Sequence, residues 1–408
     1  MKTATGSVRT GWRLVVFFGL LVVLCAPVLS WLSGLPDAAG VQEMRALAVW
    51  PDWRAETLAR CMADYEAWLN DHFPLRGYLI RWHSTVLHLW LGAPGNDVVV
   101  GRDHWLFYMG NSTTEDWVGR DVMSGAELEN FRRAAEGRQA WLRRRGIDYL
   151  LVFVPNKSTV YPEKLPLLLG AQRRPGKFDQ IVGYLRSQHS TVSVLDLRPA
   201  LLSGKAKEIN YWPTDSHWNA RGLISGCDAI MARLHAGGLG RPLEAGPGAI
   251  RIDGVFRDGD CVSLLAMNGH WPLFAMPQLT LDPALGVHSV QTPLSALKAW
   301  KRPGSTPPVA FECAAGVGRA VMLCDSFFRV GGLPDNLQGL TPLACQFNRF
   351  VSLWDWVGPD NLSTYDMISG IAEKEHPDVV IEEWTERYLR SPMPDSPEFA
   401  RARTAAAR

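Results

Sequence analysis

Two short motifs in this chain of 408 residues contain the side chains that serine acyl-transfer chemistry requires. Residues 215–219 read Asp-Ser-His-Trp-Asn, so a carboxylate and an imidazole lie two positions apart. Residues 324–327 read Cys-Asp-Ser-Phe, so Ser326 follows an apolar run. A serine becomes a nucleophile when an imidazole accepts its proton and a carboxylate orients that imidazole. Ser326, His217 and Asp215 are therefore the candidates for nucleophile, base and orienting group.

Each motif also has a structural interpretation that involves no chemistry. Asp215 precedes a helix predicted to start at Asn219, and aspartate is a common N-cap residue, in which case His217 would be a surface residue. Ser326 would in the same way cap the segment after it. Catalysis is the favoured interpretation because Ser326 follows the apolar run 320–324, and open α/β sheets bind ligands at the carboxyl ends of their strands.

A third polar segment, residues 155–162, also follows a buried strand. We expect it to face the same crevice, where Asn156 or Lys157 would orient substrate or stabilise negative charge. The alternative is a turn residue and a solvated lysine. Tyr161 and Trp218 complete the candidates for substrate or oxyanion contact.

The elements around these motifs alternate between helices and short apolar strands. Helices are predicted over 56–91, with a break at Pro74, and over 127–145, 178–188 and 219–234; strands are predicted over 147–154, 192–197, 319–323 and 378–382, with a strand–turn–strand unit over 98–108. This alternation favours a three-layer α/β fold with a mostly parallel central sheet.

The N-terminus predicts a membrane anchor. Lys2, Arg9 and Arg13 precede the uncharged residues 14–36, and about 20 apolar residues cross a bilayer core as a helix. The basic flank predicts a cytoplasmic N-terminus and a periplasmic domain, with the chain held in the inner membrane by a single span. A cleaved signal peptide is the alternative.

Composition excludes some partners and leaves others open. With 42 basic and 41 acidic residues, the chain has no overall field that would attract nucleic acid. Its 17 tryptophans suit sugar stacking, although most tryptophans in proteins are core residues. Seven cysteines permit disulfides outside the cytoplasm, but their spacing shows no metal-ligand pattern, so neither a metal nor another cofactor is expected.

These features predict four regions. Residues 1–36 form the cytoplasmic N-terminus and anchor, residues 37–95 a helical lead-in, and residues 96–392 the catalytic domain. That domain contains an irregular insertion, rich in glycine and proline, over about 237–310. Residues 393–408 form a disordered basic tail.

The motifs resemble those of the alginate O-acetyltransferase family, which is SGNH-hydrolase-like. The resemblance runs from about Asp71 to Leu389, and the membrane-anchored member of the alginate system is the most similar in organisation. Its landmarks are residues 71–76, 99–103, 155–157, 161–163, 214–219 and 325–327.

The resemblance implies that Ser326, His217 and Asp215 act as a catalytic triad and transfer acetyl groups to polysaccharide hydroxyls in the periplasm. It also implies a multispanning membrane acyltransferase as the acetyl supplier. Two positions depart from the family pattern, because Cys324 and His104 both replace glycines. A Cβ at residue 324 puts the oxyanion geometry in question. After the core we expect no carbohydrate-binding module.

We therefore expect a membrane-anchored O-acetyltransferase that acts on an exopolysaccharide, alginate-like or another envelope glycan, through a serine acyl-enzyme. A carbohydrate acetylesterase would use the same triad with water as acceptor. A third possibility is a non-catalytic scaffold that binds glycan within a secretion complex.

Overall fold

The computed structural model describes most of the chain after residue 45. The described residues are 13–14, 16–22, 25–26, 29–30, 32, 46–54, 57–73, 75–239, 250–256, 258–272, 276–281, 288–290, 308–329, 340–353, 364–389 and 397–406. They fall into two compact units. One comprises residues 96–261 and 272–408 and carries the candidate site; the other comprises residues 1–95 and 262–271.

A seven-stranded sheet forms the centre of the larger unit. Its order is β4-β3-β11-β9-β10-β8-β7. The first five strands are parallel neighbours, and β8 and β7 add an antiparallel edge. The mostly parallel sheet predicted from the sequence is thus confirmed. The strands are β3 (Asp148–Val154), β4 (Val194–Asp196), β7 (His288–Val290), β8 (Val309–Glu312), β9 (Arg319–Leu323), β10 (Arg349–Leu353) and β11 (Val379–Thr385).

Two smaller antiparallel pairs lie in the same unit. They are β1 (Val98–Val100) with β2 (Leu106–Tyr108), and β5 (Ile250–Phe256) with β6 (Met276–Leu281). The first pair is the predicted strand–turn–strand unit. His104 lies in its turn with φ 60°, the left-handed region that glycine prefers, so this departure from the family pattern is a local conformational cost. The second pair lies in the predicted insertion, whose other residues are partly outside the described ranges.

Helices of the larger unit cover both faces of the sheet. The helices after residue 57 are α1 (Leu58–His72) and α2 (Arg76–Ser84), which lie in the smaller unit, and then α3 (Thr113–Trp117), α4 (Gly125–Arg143), α5 (Lys157–Val160), α6 (Leu167–Gly170), α7 (Lys177–Ser187), α8 (Arg198–Lys205), α9 (Ala220–Ala236), α10 (Asp260–Leu264), α11 (Ser326–Arg329), α12 (Thr341–Ala344), α13 (Thr364–Glu375) and α14 (Pro397–Ala406). A π-helical segment, Thr85–Trp90, follows α2 directly.

Strand β3 shows why the fold has three layers. Leu150 and Val152 face one core cluster, which includes residues of α9, whereas Leu151 and Phe153 face a second cluster with α4, α7, α13 and α14. Successive side chains of a strand point to opposite faces. An unbroken apolar run is therefore the pattern of a strand that is covered on both sides.

The C-terminal segment differs from the disordered tail predicted over 393–408. Residues 397–406 form α14, which packs on α4. Phe399 is fully buried, and its ring lies 6.0 Å from that of Trp141 in an edge-to-face arrangement. The backbone of α14 also approaches α4 closely, because a Cβ on Gly137 would lie 2.8 Å from the Phe399 carbonyl oxygen. The basic composition of this segment predicted disorder, but its one aromatic residue, Phe399, packs in the core.

The predicted anchor over 14–36 lies partly outside the described residues. Within the ranges that are described, no helix combines the length and the apolar character that a bilayer crossing needs. The anchor and the signal peptide both stay predictions. None of the seven cysteines, all at described positions, forms a disulfide.

If Phe399 anchors α14, Phe399→Ala lowers the free energy of unfolding by about 3–5 kcal/mol, because a buried aromatic ring is lost and a cavity remains. Urea titration of the full chain measures this change. Leu168→Ala is the control: that side chain is 81% exposed, and its removal changes stability by less than about 0.5 kcal/mol. Equal stability of the two variants would contradict the packing of α14.

Candidate active site

Polar residues follow three neighbouring parallel strands at the point where each strand ends. Asn156 and Lys157 follow β3, Ser326 follows β9, and Arg387 follows β11. The carboxyl ends of these strands lie at one edge of the sheet, so their polar residues converge there. The loop before α9, residues 211–219, completes the group.

The three residues of the predicted triad are in hydrogen-bond contact. His217 Nε2 lies 2.8 Å from Ser326 Oγ, and His217 Nδ1 lies 2.7 Å from Asp215 Oδ1. Asp215 Oδ1 also accepts the backbone N–H of His217 at 2.9 Å, which bends the loop so that both side chains point the same way. Asp215 and His217 are buried, whereas Ser326 is partly exposed. The arrangement orients an imidazole toward a reachable hydroxyl.

Asn219, not Asp215, caps helix α9. Its Oδ1 accepts the N–H groups of Arg221 and Gly222 at 2.9 and 3.2 Å. The alternative in which Asp215 serves as the cap is thereby wrong. Tyr211 and Trp218 pair as an antiparallel bridge and close the base of the loop.

Lys157 anchors this loop through its buried ammonium group. Its side chain is buried, and Nζ donates to the carbonyl oxygens of Trp212, Pro213 and Asp215 at 3.0, 3.0 and 2.6 Å. All three ammonium hydrogens therefore have backbone acceptors. Neither predicted role fits, since Lys157 is not a solvated lysine and has no donor left for a developing oxyanion. It fixes the position of Asp215.

Two further candidates lie in the core. The Tyr161 hydroxyl donates to Asn210 Oδ1 at 2.9 Å and accepts the Asn210 N–H at 3.0 Å. Trp218 is fully buried, and its indole N–H donates to the Phe327 carbonyl at 2.6 Å. Both side chains are buried and bonded within the protein, so the structure gives them a structural role in place of the predicted substrate contact. Trp218 links the histidine loop to the serine segment.

Asn156 lies at the site edge and contacts the short turn that follows β11. Its N–H donates to Glu386 Oε2 at 2.7 Å, and its Oδ1 accepts from Arg387 Nε at 3.2 Å. Its predicted contact with substrate stays a prediction.

Asp260 is a site residue that the sequence did not reveal. Its backbone N–H donates to Asp215 Oδ2 at 2.9 Å, and its carboxylate accepts both the N–H and the hydroxyl of Ser216. One of its oxygens lies 3.6 Å from His217 Nδ1. The sequence feature that could have pointed to Asp260 is the glycine before it. A Cβ on Gly259 would lie 2.4 Å from the Thr214 carbonyl oxygen. Only glycine allows Asp260 to approach so closely.

Arg387 was also missed. Its guanidinium donates to Ser216 Oγ at 3.2 Å, to the Ser216 carbonyl at 3.3 Å and to Asn156 Oδ1. It lies 5.0 Å from the ring centres of both Tyr108 and Phe327. The rule that identified Ser326, a polar residue just after a buried strand, would have identified Arg387 had β11 been predicted to its full length.

Opposing effects set the charge state of the dyad. Burial acts to raise the pKa of Asp215, but the charge and hydrogen bonds of His217 outweigh it and lower that pKa to about 2. Burial acts to lower the pKa of His217, but Asp215, with the charge of Asp260, outweighs burial and raises it. The dyad thus favours an ionised aspartate beside a more basic imidazole.

Asp215, His217 and Asp260 are also close enough to be metal ligands, since their candidate ligand atoms lie within 4.8 Å of one another. These atoms already bond to one another and to Ser216. A cation would have to displace the 2.7 Å contact between His217 and Asp215. The expectation of no metal and no cofactor stays a prediction.

Cys324 keeps the backbone before the serine in ordinary geometry. Its φ is not positive, and its buried thiol lies 3.3 Å from Ser352 Oγ. The position therefore does not require glycine's conformational freedom, and the concern raised by this departure has no backbone basis.

Gly259→Ala tests how tightly the loop is held. The new Cβ would displace Asp215, and an error of about 1 Å in a reacting group can cost about 100-fold in rate. We expect a loss of that order in acylation of Ser326 by an activated acetyl ester, with the fold retained in thermal unfolding. Gly183→Ala is the control, because its Cβ would meet nothing within 4 Å. Equal rates for both variants would contradict the constraint.

Comparison with known proteins agrees with this architecture. Residues 98–255 match the family model described as the SGNH hydrolase-like domain of the acetyltransferase AlgX. The chain is 30% identical over 176 residues to the probable alginate O-acetylase AlgJ of Pseudomonas aeruginosa, across 42% of this chain and 41% of that protein. It is 29% identical over 133 residues to the protein of that name from Pseudomonas fluorescens, across 32% of this chain and 31% of that protein. The match thus spans less than half of either relative.

Solved structures show more distant likenesses. The O-acetyltransferase domain of Pseudomonas putida AlgJ is 19% identical, with a TM-score of 0.46, across 76% of this chain and 100% of that one. Bacillus cereus PatB1 is 15% identical, with a TM-score of 0.49, across 74% and 98%. The family model and the AlgJ relatives confirm the resemblance predicted from the motifs: residues 98–255 are similar to an SGNH hydrolase-like domain, and part of the chain is similar to AlgJ.

Proposed function

We propose that this protein is an O-acetyltransferase that forms an acetyl ester on Ser326 and passes the acetyl group to a polysaccharide hydroxyl. The observation that carries the proposal is the pair of contacts on His217, at 2.8 Å to Ser326 Oγ and at 2.7 Å to Asp215 Oδ1. Asp215 keeps the Nδ1 hydrogen in place, so Nε2 is the free acceptor for the serine proton.

The reaction has two half-reactions. In the first, neutral His217 takes the proton of Ser326, the oxygen attacks the acetyl carbonyl of a donor, and the donor leaves with that proton. In the second, His217 takes the proton of a sugar hydroxyl, whose oxygen attacks the acetyl ester and releases Ser326, which recovers its proton from His217. With water as acceptor the same steps give an esterase.

The nature of acceptor and donor rests on the relatives. Two of them are named as probable alginate O-acetylases, which favours an exopolysaccharide acceptor, alginate-like or another envelope glycan. We propose that the domain works in the periplasm, tethered to the inner membrane by residues 14–36, and that a multispanning membrane acyltransferase supplies the acetyl groups. Lys2, Arg9 and Arg13 support that orientation.

An acyl-enzyme trap is the direct test. The full-length chain, treated with an activated acetyl ester, should gain the mass of one acetyl group at Ser326. Ser326→Ala should abolish this adduct and lower ester turnover by roughly 10³-fold or more. Ser203→Ala, which removes an exposed hydroxyl on α8, is the control and should behave as the wild type.

The same experiment separates the alternatives. An adduct that is released faster to oligosaccharide than to water supports transfer, and one that is released only to water supports the esterase. A folded wild-type protein that forms no adduct would overturn the enzyme proposal in favour of a glycan-binding scaffold.

The pKa of His217 predicts the acidic limb of the activity profile. Only neutral imidazole accepts a proton, and the pKa is raised, so acylation should fall about tenfold per pH unit below that raised pKa. Asp260→Asn removes one of the charges that raise it, so its acidic limb should lie at lower pH than that of the wild type. Acylation rates from pH 4 to pH 9 measure both curves. A limb that Asp260→Asn leaves in place or moves to higher pH would contradict the assignment.

A further inference from the structure

Two acidic side chains lie buried together beside the proposed nucleophile. Glu383, on β11, has no exposed surface, and Asp325, which directly precedes Ser326, is 5% exposed. The mechanism above uses neither of them. Burying two carboxyl groups in one place is costly unless something balances their charge.

Their hydrogen bonds hold the main chain on both sides of Ser326. Glu383 Oε2 accepts the N–H of Asp325 at 2.9 Å, and Asp325 Oδ1 accepts the N–H of Phe327 at 2.8 Å. Trp218 adds a third contact through the Phe327 carbonyl, at 2.6 Å. The backbone that presents the serine oxygen is therefore fixed from the residue before it and from the residue after it.

One atom of this arrangement lacks a donor. Asp325 Oδ2 is buried, and no donor group in the described ranges reaches it. The side chain of Glu383 accepts the Asp325 N–H at 2.9 Å, and a hydrogen-bond interaction with the Asp325 side chain contributes to the raised pKa of Glu383. Two ionised carboxylates only accept, whereas a protonated carboxyl group also donates. A proton on Glu383 supplies the missing donor.

The surroundings favour that proton. Burial first, and the charge of Asp325 second, raise the pKa of Glu383 well above its usual range. Tyr211, before the histidine, and Tyr388, after β11, also interact electrostatically with Glu383. Both are acids, so neither offers a positive charge to Glu383. Thr385 contributes one hydroxyl, which donates to Glu383 Oε1 at 3.1 Å.

We propose that Glu383 is held as a neutral acid that donates a hydrogen bond to the carboxylate of Asp325, and that this shared proton fixes the position of the Ser326 nucleophile. Glu383 is thus a positioning residue, and its effect on rate rests on the proposed acyl transfer. The proton arrangement itself does not depend on any reaction.

Three variants of the full chain test this proposal. Glu383→Gln keeps a neutral donor of the same shape, since the amide can accept from the Asp325 N–H and donate to Oδ2. Its rate of Ser326 acylation should stay within about threefold of the wild type. Glu383→Leu removes the donor and leaves a buried carboxylate unpaired, so its rate should fall at least about 100-fold. Glu373→Gln, at an exposed glutamate, is the control.

Unfolding gives a readout that needs no activity. A carboxyl group with a raised pKa in the folded state keeps its proton there and loses it on unfolding. Stability is therefore full below the pKa of the unfolded chain and falls as pH rises toward the folded pKa. Over that window the unfolding constant of the wild type should rise about tenfold more per pH unit than that of Glu383→Gln. Glu373→Gln should follow the wild type.

Three results would overturn the inference. The first is a folded Glu383→Gln variant that acylates as slowly as Glu383→Leu, and the second is a wild type and Glu383→Gln with the same pH dependence of unfolding. The third is an infrared spectrum in which the wild type shows no protonated-carboxyl band beyond that of Glu383→Gln. If Glu383→Leu does not fold, the last two comparisons still decide. If the pH dependence appears as expected but Ser326 forms no adduct, the proposed function fails and this inference stands.

Discussion

A buried ammonium group ties the loop that carries Asp215 to the end of strand β3. Lys157 Nζ donates to three backbone carbonyls of that loop, at 3.0, 3.0 and 2.6 Å, and burial lowers the pKa of the lysine. Carbonyl oxygens replace the water that a buried cation loses. The three hydrogen bonds from Lys157 therefore fix the conformation of the loop. Because Asp215 aligns His217, and His217 aligns with Ser326, the geometry of the site depends on this anchoring.

Groups around His217 act on its pKa in both directions. Asp215 and Asp260 raise its pKa, while burial and the positive charge of Arg387 lower it. The same guanidinium binds the Ser216 hydroxyl, which in turn bonds to Asp260. A site with the two acids alone would hold the imidazole protonated more firmly, and a protonated base cannot accept the serine proton. Arg387 therefore opposes the rise in the pKa of His217 and favours the neutral imidazole that the proposed mechanism needs.

The sequence was sufficient for those features that local patterns encode. The run 319–323 matches β9, and the Asp-x-His and Asp-Ser motifs lie where strand ends converge. The sequence could not predict three roles that depend on distant partners. Lys157 and Asp260 bond to Asp215, which lies 58 and 45 positions away. Glu383 bonds to Asp325, which lies 58 positions away. The predicted strand ended at residue 382, three residues before the end of β11, because Glu382 and Glu383 break the apolar pattern, although both are fully buried.

These two adjacent glutamates show how a strand can bury a carboxyl group on each of its faces. Successive side chains point to opposite sides, so Glu382 and Glu383 meet different layers. Glu382 faces Arg138 of α4 and also accepts from the Tyr149 hydroxyl at 2.6 Å. Glu383 faces another acid, Asp325. A guanidinium can neutralise the first carboxylate, but only a proton can reconcile the second with its neighbour. The strand that stabilises the helical layer on one face thus positions the proposed nucleophile on the other.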